Sequence, residues 1–216
     1  EWVLPIEYDV LEEEELIGYV RVNSNSDDLN LSYRIYENAL EDFKDAEVDS
    51  IIIDMRLNFG GTPLGLANYL TKNDIPMGQL MYYNENTGDF EPEGDPRVYE
   101  AMTKTYKFKT IVLLVDQFCF SACELESYAL SQVPGVIIIG EWPTAGVEGE
   151  TARGQFELPE GMSFGIPTGR FVLEDGSILL EGVGVEPNID LEVTYESVLS
   201  EDDVVLLRAI EEILNQ

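Results

Sequence analysis

"TIVLLVDQFCFSACELESYAL", residues 110–130, joins two local patterns in one stretch. Residues 110–116 are almost continuously apolar, as expected of a strand covered on both faces of its sheet. From Ser121 the pattern becomes helical, with Ala122, Leu125 and Ala129 on one face. A buried strand running directly into a helix is the repeating unit of α/β folds. The junction poses a chemical choice. Ser121, between Cys119 and Cys123, is either a helix cap or a nucleophile. Serine is a preferred N-cap. A helix N-terminus also favours a developing alkoxide, and the Ala122 N–H would be a candidate oxyanion donor.

Outward from this stretch the strand signal recurs at "LIGYVRV" (16–22), "SIIIDM" (50–55) and "GVIIIGE" (135–141). In "YRIYENALEDF" (33–43), Tyr36, Leu40 and Phe43 form an amphipathic helical stripe. "PLGLANYL" (63–70) reads as a helix with Pro63 in its first turn. "NENTGDFEPEGDP" (84–96) reads as an exposed acidic loop or lid. "FVLEDGSILL" (171–180) is a hairpin turning at Asp175-Gly176. "SEDDVVLLRAIEEIL" (200–214) is a terminal helix, with Ser200 and Asp203 in capping-box-like spacing and a buried stripe of Leu206, Ile210 and Ile213. No repeat or linker divides the chain. Residues 1–216 are expected to form one α/β domain with a small C-terminal antiparallel β segment and a terminal helix.

The chain has 216 residues, 44% of them hydrophobic and 10% aromatic, enough for a sizeable core. Its 43 acidic and 12 basic residues leave a net charge of −31. That balance excludes nucleic acid and anionic membrane as partners, since both are bound by Lys and Arg. No stretch reaches membrane-spanning length, and no signal peptide is visible. The start at Glu1-Trp2 rather than Met leads us to expect a trimmed or mature fragment with N-terminal regions missing. Two cysteines are too few for a disulfide scaffold or a four-ligand zinc site. With no histidine, the chain lacks the commonest metal ligand and the commonest general base.

Three further segments could carry chemistry. "DMRLNFGG" (54–61) ends a strand in Asp54, Arg56, Asn58 and the Gly60–Gly61 pair. Such a turn can aim N–H groups at an oxyanion, or it can be a plain turn with an Asp54–Arg56 ion pair. "GEWPTAGVEGE" (140–150) is a second Gly-rich loop after a strand, and in "LLEGVGVEPNID" (179–190) Glu181 precedes another Gly-rich run. A lone glutamate in so acidic a chain is usually part of a solvated face.

Taken in order, these segments resemble the C-terminal processing, or tail-specific, serine protease family, whose relatives include the tricorn core protease and retinoid-binding modules. "SIIIDMRLNFGG" is similar to the family's D-x-R-x-N-x-G-G strand and loop. "VLLVDQFCFSACELESYAL" resembles its S-A-S-A-S-E hallmark, with Cys119 and Cys123 in the outer serine places and Ser121 in the nucleophile's. "IIIGEWPTAGVEGE" and "LEGVGVEPNID" resemble the loop that follows and the closing G-V-x-P-D motif. The likeness covers roughly residues 16–195.

The resemblance implies a crotonase-like (ClpP/crotonase) α/β core, no cofactor, a polypeptide substrate and an extracytoplasmic location. It implies Ser121 as nucleophile and Gly60, Gly61 and Ala122 as the oxyanion hole. The Ser–Lys branch carries its base lysine after "PTAG", where this chain has Val147. Of the lysines at 44, 72, 104, 107 and 109, Lys109 is nearest in sequence, and it lies about 20 Å away along the strand. The tricorn-like branch uses Ser, His and Glu. Glu181 matches its glutamate, and its histidine comes from a segment upstream of the core. We therefore expect a His base N-terminal to residue 1, with Glu148 as a rival base. The competing functional readings are an inactive family member that binds peptide or an apolar ligand, and an acyl-CoA enzyme of the wider crotonase fold.

Overall fold

The computed structural model describes residues 3–216. Strand β1 (Ile6–Glu12) pairs antiparallel with β2 (Leu16–Val22). Helix α1 (Leu29–Asp45) follows, capped by Asp28, whose carboxylate accepts the Leu31 N–H at 2.8 Å. Next come β3 (Ser50–Asp54), β4 (Ile75–Asn84), β5 (Asp89–Pro92) and β6 (Arg97–Tyr99). A second strand–helix–strand unit is β7 (Thr110–Leu114), α2 (Ala122–Ser131) and β8 (Val136–Gly140). The chain closes with β9 (Gln155–Glu157), β10 (Ser163–Gly165), β11 (Gly169–Val172), β12 (Ile189–Asp190), α3 (Tyr195–Leu199) and α4 (Val204–Leu214).

The main sheet runs β1-β2-β3-β7-β8-β12, parallel throughout except for the β1–β2 edge. Its apolar runs are explained by cover on both faces. Ile51, Ile53, Ile111 and Leu113 point to a core shared with Tyr36, Leu40 and Phe43 of α1 and Leu125 and Ala129 of α2. The alternate residues Ile52, Val112 and Leu114 meet Val205, Ala209 and Ile213 of α4. The result is a helix–sheet–helix sandwich. At Gly18 a β-carbon would lie 2.8 Å from the Phe43 ring, so α1 can lie this close only over a bare backbone. A second sheet has the order β11-β4-β5, and β6 pairs with the first residues of β4.

Several elements differ from the sequence expectation. The stretch 84–96 begins as a hairpin rather than a loop: β4 and β5 pair through Tyr83↔Phe90, whose rings meet at 5.7 Å. Its turn is closed by the Asn84 carbonyl, which accepts the Gly88 N–H at 2.8 Å. The exposed charges of Asp89 and Glu91 hid the strand. Residues 63–70 hold only a 3₁₀ turn, Leu66–Tyr69, because Gly65 takes a left-handed conformation (φ 68°) that interrupts the helix. The terminal helix is capped by Asp203 alone, and its buried stripe is Val205, Ala209 and Ile213, one residue off the expected one at two of three positions. Ser200 ends the short helix α3, which the sequence reading did not anticipate. Nor did it anticipate β1, although Ile6, Tyr8 and Val10 alternate as a half-buried strand should.

The end of β3 is fixed by charge. Asp54 is fully buried, and its carboxylate accepts from Arg56 Nε (2.9 Å), Arg56 Nη2 (2.7 Å), Tyr19 Oη (2.8 Å) and Arg21 Nη1 (3.2 Å). Arg56 also grips Asp203, the cap of α4, at 2.8 and 2.6 Å. The ion-pair reading of Asp54 and Arg56 is therefore met, and the pair locks α4 onto the sheet. Burial, then the Asp54 charge, pushes the Tyr19 hydroxyl up to about 12. Replacing Arg56 with Leu leaves Asp54 short of its bidentate partner and should cost about 3–5 kcal/mol in urea unfolding. Arg21→Leu, at a longer contact and from a side chain that is itself 28% exposed, should cost less. An equal or smaller loss for Arg56→Leu would contradict this assignment.

Candidate active site

Ser121 lies just past the C-terminal end of β7, immediately before α2. Its backbone has φ 56° and ψ −123°, a region that non-glycine residues occupy at a cost of about 1–3 kcal/mol and mostly at functional sites. The helix-cap role is not filled: the Ser121 side chain caps nothing and is exposed. The carbonyl starts the helix by accepting from Glu124 N–H (2.9 Å) and Leu125 N–H (3.2 Å). A disulfide between Cys119 and Cys123 brackets the turn, a link the sequence reading missed. Asp116 fastens the same turn to the loop after β3, accepting from Leu57 (3.0 Å), Phe118 (2.9 Å) and Cys119 (3.0 Å) N–H groups.

That second loop brings the glycine pair to the serine. A β-carbon on Gly60 (φ 77°) would sit 2.6 Å from the Phe120 carbonyl, 3.0 Å from Ser121 Cβ and 3.1 Å from the Ala122 nitrogen. Only glycine allows this approach. Buried Asn58 holds the loop, donating to Val22 O (3.0 Å) and Asn25 Oδ1 (2.7 Å) and accepting the Gly60 N–H at 2.9 Å. The Gly60 amide is thus engaged. The Gly61 and Ala122 amides have no hydrogen-bond acceptor among the described residues.

The third segment closes against Ser121 from the other side. Val147 O accepts the Ser121 N–H at 3.0 Å, and Ala145 N–H donates to Cys119 O at 3.0 Å. The loop's shape comes from Glu124, buried in the first turn of α2, which accepts from Thr144 Oγ1 (2.7 Å), Gly146 N–H (2.7 Å) and Val147 N–H (2.8 Å). Sequence reasoning assigned Glu124 no role, although it stands in the glutamate place of the S-A-S-A-S-E-like segment.

Glu181 arrives as the fourth. Its Oε2 accepts the N–H groups of Glu148 (2.8 Å) and Gly149 (2.6 Å), and its Oε1 has no partner among the described residues. All four segments therefore meet, with Glu181 reaching Ser121 through the 147–149 loop rather than by direct contact.

Glu148 behaves differently from the other carboxylates. It is only 7% exposed, and its Oε2 is buried without a partner among the described residues. Burial pushes its carboxyl up to about 8; Arg97 opposes this, while Glu124, Glu181 and Glu150 reinforce it. The folded protein thus holds a proton that the unfolded chain releases. This carboxyl lowers stability as pH climbs from the ordinary carboxylate range to about 8, with a limiting slope of roughly 1.4 kcal/mol per pH unit. Glu148→Gln should match the parent near pH 5 and become progressively more stable than it towards pH 8, as read by denaturant unfolding. Parallel stability–pH curves would remove the buried proton from the account.

Together the four segments present an exposed hydroxyl on a strained turn, the Ala122 and Gly61 amides without acceptors among the described residues, and one loop away a carboxylate with one oxygen free among those residues. That arrangement suits attack on a carbonyl with stabilisation of the oxyanion. A model of the family described as peptidase family S41 matches residues 16–191. Solved structures share the fold. A putative peptidase from Parabacteroides merdae is 23% identical with a TM-score of 0.78, over 99% of this chain and 66% of that one. The photosystem II D1 C-terminal processing protease gives 20% and 0.66, over 96% and 52%. The tricorn protease gives 19% and 0.59, over 92% and 18%. The chain spans less than two thirds of the length of each.

Proposed function

The chain belongs to peptidase family S41, and from that premise we propose that it is the core of a serine endopeptidase acting on unfolded or C-terminal segments of proteins. Family membership itself supports a serine peptidase with a polypeptide substrate. The observation that carries the finer reading is Ser121. Its hydroxyl is exposed and free of hydrogen bonds among the described residues, on a backbone whose strain Gly60, Asp116 and Val147 hold in place.

In this reading Ser121 Oγ attacks the scissile carbonyl, and the Gly61 and Ala122 amides receive the negative oxygen. Gly60 supplies the clearance for that approach, its own amide being bound to Asn58. The base is a histidine from outside these 216 residues, oriented by the free Oε1 of Glu181 as a triad carboxylate orients its imidazole. We treat residues 1–216 as one protease core domain and its fold as crotonase-like; the parallel strands with a Gly-rich loop after β3 and a helix N-terminus after β7 support that class. The Cys119–Cys123 disulfide supports an extracytoplasmic setting, because such bonds persist where thiols are oxidised.

The absence of histidine and the Val147 side chain favour a second reading, a binding module that has lost catalysis. Labelling with a serine-directed fluorophosphonate separates the two. The full-length protein should label at Ser121 and Ser121→Ala should not. The isolated 216-residue chain should label slower by about 10²–10⁴, the usual contribution of a general base. Equal rates for the isolated chain and the full-length protein would rule out the external base, and no labelling of either would favour the binding module.

A further inference from the structure

Three phenylalanines sit against the reacting groups. Phe59 immediately precedes Gly60, Phe120 immediately precedes Ser121, and Phe118 lies two residues further back. Their rings touch: Phe59 and Phe120 are 5.7 Å apart between centroids, and Phe59 and Phe118 are 6.5 Å apart. Yet they are not core. Phe59 is 61% and Phe118 45% exposed, and Phe120 is half-buried. Isolated exposed apolar residues are ordinary, whereas contiguous aromatic rings facing water usually mark a binding surface.

Their backbones are not free to drift. Asp116 binds the amides of both Leu57 and Phe118, Asn58 binds that of Gly60, and Gly60 packs on the Phe120 carbonyl. The interactions that place Ser121 therefore also place the rings. No charged side chain lies within residues 57–61 or 117–123, in a chain with a net charge of −31. A charged substrate group here would lose hydration with no partner in these two segments, whereas a large apolar side chain would cover all three rings.

We propose that Phe59, Phe118 and Phe120 form the subsite that receives a bulky apolar side chain of the polypeptide next to the bond attacked at Ser121. This rests on the reading of Ser121 as nucleophile. The rings act on specificity: they hold the substrate residue adjoining the scissile bond and so register its carbonyl against the hydroxyl.

The test uses the full-length protein and fluorogenic peptides carrying Phe, Leu, Ala, Lys or Asp on either side of the scissile bond. On one side, Phe and Leu should exceed Ala in kcat/KM by about 10- to 100-fold, the range a hydrophobic subsite can discriminate. Phe59→Ala and Phe118→Ala should each shrink that ratio, and the double variant should bring it to within about 3-fold. A second readout is independent of turnover. In the Ser121→Ala background, fluorescence anisotropy should show tighter binding of the Phe peptide than of the Ala peptide, and Phe59→Ala should remove the difference. Preference for Lys or Asp, or an unchanged Phe-to-Ala ratio in both variants, overturns the subsite. Cleavage that survives Ser121→Ala overturns the nucleophile reading instead, and the binding measurement still decides the role of the rings.

Discussion

One buried carboxylate governs how this fold ends its central strand. Asp54 has no access to water, and a bare charge in that position would be too costly to keep. It is tolerated because Arg56, two residues on, curls back to meet it bidentately while Tyr19 and Arg21 approach from the neighbouring strand. Arg56 in turn reaches Asp203, so the helix that covers the far face of the sheet is tied to the same charge. The chain leaves β3 along a path set by this network, with Leu57 forced to φ 60°, and the Gly60–Gly61 turn arrives beside Ser121 as a result.

The acidic side chains around the site serve a purpose that net charge alone does not suggest. Glu124, Glu181, Asp116 and Glu126 each accept two or three backbone N–H groups from irregular segments. Loops that have no sheet or helix partners thereby satisfy their amides and acquire one shape. Glu126 is an example away from the serine: fully buried, it gathers the amides of Leu64, Gly65 and Leu66, while burial drives its carboxyl upward against the pull of those bonds. The four loops around Ser121 are held by these carboxylates, a disulfide and glycine contacts, and anchored in the core by residues such as Cys119, Leu180 and Val185.

Much of this was legible in the sequence. The strands at 16–22, 50–54, 110–114 and 136–140 fall where the apolar runs place them, because both sheet faces are covered and the signal is undiluted. The order of the four site segments was also readable. Conformations that depend on distant partners were not. The positive φ of Ser121 is held by groups from two other loops, at Gly60 and Val147, and no local pattern encodes it. Glu181, which only the family resemblance lifted above the solvated-face reading of a lone glutamate, is exposed, but one of its oxygens holds two amides of a loop, 33 and 32 residues away in sequence. The pairing of Cys119 with Cys123 was lost because a count of two cysteines argued against a scaffold, while their one-turn spacing at the head of a helix was left unused. Nor could the terminal stripe be placed to the residue, since Asp203, the cap that sets the helix on the sheet, is fixed by Arg56, 147 residues away in sequence.

The parallel pairing of β3 with β7 has a consequence for the order in which this protein is made. Ser50 pairs with Thr110, so every residue between them must be synthesised before the two strands can meet. The Gly60 turn and the Ser121 turn extend from the ends of those strands, and the loop that receives the Ser121 amide lies later still, at Val147. Closing such large loops costs entropy before any contact repays it, which makes parallel sheets slow to form. A nascent chain therefore carries Ser121 without the loop that receives its amide until Val147 has been made. The Ser121 hydroxyl gains its setting only after β3, β7 and β8 have all been made, since its partners lie beyond the ends of those three strands.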